Sequence, residues 1–341
     1  MANRRKFLAA AATAWAAAAA RSGAAASVSR GKRGDLQGPL LDLRTGPGNA
    51  LAMAKLLGSL NPAASKYGWY TGRLRAVVPG AAVRDLLTVV GFSAARTLPR
   101  DAQGRYALLR RECGFFLDLA SGAVLDSWLN PYTCERVDVV HIANDPVNQL
   151  ISPLRTNERL YEQDVAPQAP EPYVLPWQVA GDRVFVEVAS HLWARNPLDP
   201  AIWVRESAGT QIQISDLQTY SCAIDDLQNA ALLSVSYQGN WVHVRPWQPW
   251  MLMGTAPGHL MYHCFTGSAT LLGEVPVAIR SLVEQRLPSF LTAPEKSGKS
   301  EGSLSRYMRT RKPSPPRATS VSCGAAATPQ IPEVRSAELK P

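Results

Sequence analysis

The sequence predicts a mainly β protein: an antiparallel barrel or sandwich with a few peripheral helices, a lipocalin-like cavity being one form of the barrel. Three observations carry that expectation. Short runs rich in Val, Ile, Tyr, Phe and Trp recur at close spacing, with Gly, Pro, Asn and Asp clusters between them. Arg105 to Leu119 alternates over its length, with Leu109, Arg111, Cys113, Phe115 and Leu117 on one face and Leu108, Arg110, Glu112, Phe116 and Asp118 on the other. No alternation of strands with long helices is present, which argues against a doubly wound sheet.

The chain opens on an export signal. Asn3-Arg4-Arg5-Lys6-Phe7-Leu8 is a twin-arginine pattern, Leu8 to Ala20 is apolar and Ala24-Ala25-Ala26 offers a cleavage site. That apolar run is shorter than the roughly 20 residues a membrane span needs, so no stable membrane anchor is expected. Residues 1–26 are therefore read as a signal peptide, 35–293 as one β-rich domain and 294–341 as a disordered basic tail. The expected location is the periplasm or outside the cell, and the export machinery is one expected partner.

In order, residues 27–66 are irregular apart from a short helix within Ala50 to Leu60. Tyr67 to Val78 is a strand ended by Pro79-Gly80. Val83 to Val90 fits helix or strand, and Phe92 to Thr97 continues as strand. Ser121-Gly122 turns into Val124 to Leu129. Asn130-Pro131-Tyr132-Thr133 is turn chemistry. Val137 to Ile142 follows as a strand carrying His141 at its end, and Asn144 to Asn148 is read as a second turn. Residues 152–172 are Pro-rich, a crossover or lid. Tyr173 to Val179 and Arg183 to Trp193 are strands, and Thr210 to Ile214 is a short one. Leu232 to Tyr237 and Trp241 to Arg245 are read as a hairpin around Gln238-Gly239-Asn240. Val277 to Leu287 is the clearest helix.

Charge is uneven along the chain. The net charge is +9, but Arg4, Arg5, Lys6 and Arg21 supply +4, and nine Lys or Arg against four Glu after residue 293 supply +5. Residues 27–293 are neutral, so no nucleic-acid partner is expected. Cys113, Cys134, Cys222, Cys264 and Cys323 form no Cys-x-x-Cys pair and suit buried thiols better than a disulfide framework.

Common catalytic signatures are missing: no Gly-x-Ser-x-Gly elbow, no phosphate-binding loop, no dinucleotide fingerprint and no His-Glu-x-x-His pair. The polar residues beside apolar strands supply the candidates. His141 with Asp145 or Glu112 is the candidate proton-transfer set. Trp128, Tyr132, Asn144, Asn148, His191, Trp241, His243 and Arg245 are the candidate ligand-binding residues. Strand parity puts Trp241, His243 and Arg245 on one face opposite Val242 and Val244. It puts Glu187, His191 and Trp193 opposite Val184, Val186 and Val188. Each polar face is either a solvent face or the lining of a cavity. His141, His191 and His243 with Asp145 or Glu187 would suit a metal chemically, but they lack ligand spacing; no metal is assigned and no cofactor is named.

Trp128-Leu129-Asn130-Pro131-Tyr132-Thr133 and Val139 to Asn148 resemble the bacterial family known as domain of unknown function 1838. Arg111-Glu112, Ser121-Gly122, Pro257-Gly258-His259-Leu260 and the Pro-containing helix near the end support the resemblance, over roughly residues 35–293. Where that family often has Gly after Asn-Pro-Tyr-Thr, this chain has Cys134. The resemblance transfers no catalytic role.

Three functions are expected from these residues. The first is an exported, cofactor-independent hydrolase, lyase or isomerase acting on a hydrophobic or aromatic small molecule in a β-barrel cavity. The second is a non-catalytic periplasmic protein binding a small molecule or lipid. The third is a structural protein whose Asn residues satisfy backbone groups in turns.

Overall fold

A computed structural model describes residues 41–155 and 169–317. The expected signal peptide, most of the Pro-rich crossover and the last part of the basic tail lie outside the described residues.

The strands in chain order are β1 (Lys66–Val77), β2 (Arg84–Thr97), β3 (Tyr106–Leu117), β4 (Ser127–Leu129), β5 (Arg136–Asp138), β6 (Ile142–Ile151) and β7 (Leu154–Arg155). They continue with β8 (Glu171–Pro172), β9 (Gln178–Ala180), β10 (Arg183–Arg195), β11 (Gln211–Ala223), β12 (Gln238–Arg245) and β13 (His259–Ala269). The helices are α1 (Gly46–Leu57), α2 (Ile224–Gln228), α3 (Val277–Arg286) and α4 (Ser303–Thr310). Nine strands make one antiparallel sheet, ordered β6-β3-β2-β1-β13-β12-β11-β10-β9, which curls into a half-barrel. Two small ribbons, β4–β5 and β7–β8, stand beside it.

The half-barrel has a concave and a convex face because side chains alternate along each strand. At one end of the concave face α1 packs its alanine-rich helix on Leu108, Val184, Val186 and Tyr220. Thr45 caps that helix by accepting from the Gly48 N–H. At the other end the β4–β5 ribbon and a 3₁₀ turn at Pro249–Met251 close over Leu74, Phe116, Leu260 and Tyr262. On the convex face α3 covers Phe92, Cys113 and Phe115 with Ile279 and Val283. Cys113, Cys222 and Cys264 are buried free thiols, whereas Cys134 is disulfide-bonded.

Three segments depart from the sequence expectation. The strand begun at Arg136 stops at Asp138, and Ile142–Ile151 forms a separate, edge strand where a turn was expected. An edge position tolerates Pro146, which has no N–H to give a neighbouring strand. A register shift against Arg110 and Glu112 of β3 absorbs the extra residue. The expected hairpin at Gln238-Gly239-Asn240 is instead the start of β12, between β11 and β13. Gly239 is there because a β-carbon would run into the Thr219 carbonyl of the adjacent strand, a close approach that needs glycine without needing a turn.

The third departure is the segment assigned to a disordered tail. Its described part, residues 294–317, lies along the body. Glu301 exchanges backbone bonds with Asp145 and Pro146 on the free edge of β6. Asn148 donates from its amide group to Gly298 and Ser300, and Ser303 donates to Asn144. Helix α4 then buries Tyr307 against Trp203 in the loop between β10 and β11. Arg311 pairs with Asp138, and Arg317 with Glu135. The scarcity of large apolar residues concealed this strap, because only two such side chains, Leu304 and Tyr307, join the backbone and charge contacts that hold it.

Candidate functional site

Strand register assembles a polar band on the concave face, midway between its two apolar ends. β3 contributes Arg110 and Glu112, and its partner on β6 contributes Asn144 opposite Glu112. On the other side His243 of β12 stands between Asp216 of β11 and Tyr262 of β13. Between these groups lie Tyr70 of β1 and Trp241 of β12, with ring centroids 5.0 Å apart. Tyr70 lies across Gly91 and Gly114, where any β-carbon would run into its ring or hydroxyl. Glycine is required at both positions for close approach rather than for backbone freedom.

Hydrogen bonding in the band is incomplete. Asn144 bridges the strap to the sheet: its carbonyl oxygen accepts from Ser303, and its amide group donates to Glu112 at 3.4 Å. The nearest nitrogen of Arg110 is 3.9 Å from Glu112, too long for a hydrogen bond. The Trp241 indole N–H donates to Asp216 at 2.6 Å, while His243 Nδ1 stops 3.6 Å from the same carboxylate. The Tyr70 hydroxyl, Arg110 Nε, Thr266 Oγ1, His243 Nδ1 and Arg245 Nε are all buried without a hydrogen-bond partner among the described residues. Buried polar atoms are normally satisfied by protein, water or ligand. These five atoms share one face of the sheet. Arg110, Glu112 and Asp216 keep part of their side-chain surface open, at 29%, 25% and 42% exposure.

Electrostatics tie the two sides together. Burial raises the Tyr220 phenol well above its ordinary range, with Arg110 lowering and Asp216 raising it, so it lies within reach of both. Tyr237 is pushed up to about 12 by burial and feels both Arg110 and Glu112. Tyr70 is also raised by burial, then by Glu112. All three phenols are therefore protonated donors at neutral pH.

The expected set His141, Asp145 and Glu112 is not brought together. His141 accepts from the Phe116 N–H at Nδ1, 3.2 Å away, and packs between Phe115 and Phe116. Burial, aided by Arg286, holds its pKa at about 4, so the ring is neutral. Asp145 points to the other face, paired with Arg111 at 2.9 Å. Of the three only Glu112 lies in the band. The mispairing follows from the break after Asp138, which shifts every later side chain relative to the single strand expected.

Among the candidate binding residues, Trp241, His243, Arg245 and Asn144 lie on the concave face. Trp128 packs edge-on against Trp250, and Tyr132 packs against Trp247, so both belong to the apolar plug at one end. Asn148 holds the strap. His191 is exposed on the convex face, bonded to Ser215 at 2.9 Å, and Trp193 beside it is 62% exposed. The face of Glu187, His191 and Trp193 is thus a solvent face, opposite buried Val184 and Val186. Among the described residues no three His, Cys, Asp or Glu side chains converge as metal ligands.

Sequence reading missed Tyr70, Tyr220, Tyr237 and Asp216, and gave Arg110 no role. Strand parity already placed Arg110 and Glu112 on the face of Leu108 and Phe116, both fully buried. That was the available signal. Two surface grooves are present: one of about 740 Å³ outside the band beside Arg96, Arg111 and Lys296, and one of about 420 Å³ at its margin beside Ser215, Arg245 and His259. The first is built around the Arg111–Asp145 pair, whose charges already satisfy each other.

No curated protein matches the chain. Residues 63–311, from just before β1 to just past α4, match the family model described as protein of unknown function (DUF1838), and the chain belongs to that family.

Proposed function

We propose that the protein binds a small molecule with a planar, aromatic body in the concave face of the half-barrel. One observation carries this reading: five buried polar atoms without partners share a face with the Tyr70–Trp241 aromatic pair. Apolar walls with a few unsatisfied polar groups are what a small-molecule site offers. Trp241 supplies the surface on which a planar ligand stacks, with Glu112, Asp216 and His243 within reach of its polar substituents.

The neutral dye N-phenyl-1-naphthylamine tests the reading. The full chain is expected to bind it saturably at one site, with fluorescence enhancement, and Trp241→Ala is expected to weaken binding about tenfold or more. Unchanged binding by a folded Trp241→Ala variant would overturn it.

Catalysis in the same groove is the second reading. It is favoured by the Glu112 carboxylate acting on the buried Tyr70 phenol, a pair of titratable groups on one face of the sheet. Glu112 would then be the proton-transfer group, while His141 packs between Phe115 and Phe116. Turnover of a bound compound that Glu112→Gln abolishes while binding persists would support it; binding without turnover would leave the protein a carrier. Export by the twin-arginine route is also proposed, on the Arg4-Arg5 pattern. Changing both to Lys is expected to retain the precursor in the cytoplasm, and normal export of that variant would refute it.

A further inference from the structure

Donors and acceptors on the concave face are unequally used, and the imbalance bears on the kind of molecule that fits. Each carboxylate already receives one donor: Asp216 the Trp241 indole N–H at 2.6 Å, and Glu112 the Asn144 amide. The Arg110 donors have no such partner. Arg110 makes no hydrogen bond among the described residues; its Nε is buried without a partner and its nearest terminal nitrogen stands 3.9 Å from Glu112. A guanidinium has five N–H donors in a planar fork suited to a carboxylate. Tyr220 and Tyr237 stack edge to face, centroids 4.8 Å apart, within electrostatic reach of Arg110. Neither hydroxyl has a hydrogen bond among the described residues, and burial keeps both protonated.

Resting on the groove reading above, we infer that the ligand is an aromatic organic acid, its carboxylate held by Arg110 with the Tyr220 and Tyr237 hydroxyls and its ring stacked on Trp241. A cationic ligand would leave these donors unmet and would set its own charge against that of Arg110. A neutral ligand would leave the Arg110 fork unmatched. Glu112 does not forbid the arrangement, because it uses at most one edge of the guanidinium and is held towards Asn144. It acts instead as a positioning residue that aims the fork across the groove.

The test compares two probes of nearly the same shape, 2-naphthoate and 2-naphthamide, by titration calorimetry on the full chain. The wild type is expected to bind the acid about tenfold or more tightly than the amide, the size of one charge-assisted hydrogen bond. Arg110→Gln is expected to bring the two to equal affinity. Arg110→Lys, which keeps the charge and loses the fork, is expected to retain part of the preference. Equal affinities in the wild type would overturn the anion inference and leave the groove reading standing. Binding of neither probe would overturn both.

Discussion

His141 is a polar side chain beside an apolar strand that the structure packs into the aromatic core. Its Nδ1 receives the Phe116 N–H and its ring fills the space between two phenylalanines. Burial, then Arg286, depresses its pKa from 6.5 to about 4. The folded state therefore binds this proton less readily than the unfolded chain. Its contribution to stability is fully present above pH 6.5 and is lost as pH falls through about 4. The urea midpoint should drop over that window in the wild type. His141→Gln, which keeps an acceptor and does not titrate, should drop less over the same window. Equal acid limbs in the two proteins would contradict this assignment. Cys134 illustrates a different constraint: its φ of 58° is left-handed, the conformation that favours the Gly often found there in the family it resembles. Asn130 is fully buried and closes the same turn, accepting from the Tyr132 N–H and donating to the Met251 carbonyl. Its structural role was one of the readings that the residue type permitted.

At the scale of elements, the strap formed by residues 298–317 has the clearest consequence. It pairs with the edge of β6, which would otherwise present unpaired backbone groups. It then reaches from that edge to the loop joining β10 and β11, near the opposite side of the open half-barrel. Truncation after Glu295 removes buried Tyr307, the Asn144–Ser303 bonds and the Arg311 and Arg317 pairs. The melting temperature should fall by about 5 °C or more, as a loss of about 2 kcal/mol would produce in a domain of this size. An unchanged melting temperature would show that the strap adds nothing. Long elements were legible in the sequence: β1, β3 and α3 match their expected ranges to within a residue or two, because each carries sustained periodicity. The strap, β6 and β12 were not. Each is held by neighbours distant in sequence, and each contains residues that elsewhere make turns: Pro146 in β6, Gly239 in β12, and Gly298 and Gly302 in the strap.

At the scale of the whole molecule, the mainly β, barrel-like expectation is met by a single antiparallel sheet curled into a half-barrel. One sheet curls far enough to enclose a face, and α1, the aromatic plug and the strap cover parts of its open side. The mainly β class was legible because alternation and turn chemistry recur along the chain. The site was only half legible. Alternation grouped Trp241 with His243, and Arg110 with Glu112, within single strands. It could not say that β3 and β11 face each other across a curved sheet, which brings Arg110 and Asp216 to the same phenol. The central claim is that this shared concave face, and not the convex one, receives a ligand. The most direct test follows the tryptophan indole N–H signals by nuclear magnetic resonance during titration with 2-naphthoate. The Trp241 signal, assigned by its loss in Trp241→Phe, should shift and saturate at one equivalent while that of exposed Trp193 stays in place; a Trp241 signal that does not move, or saturable shifts at Trp193 instead, would contradict the account.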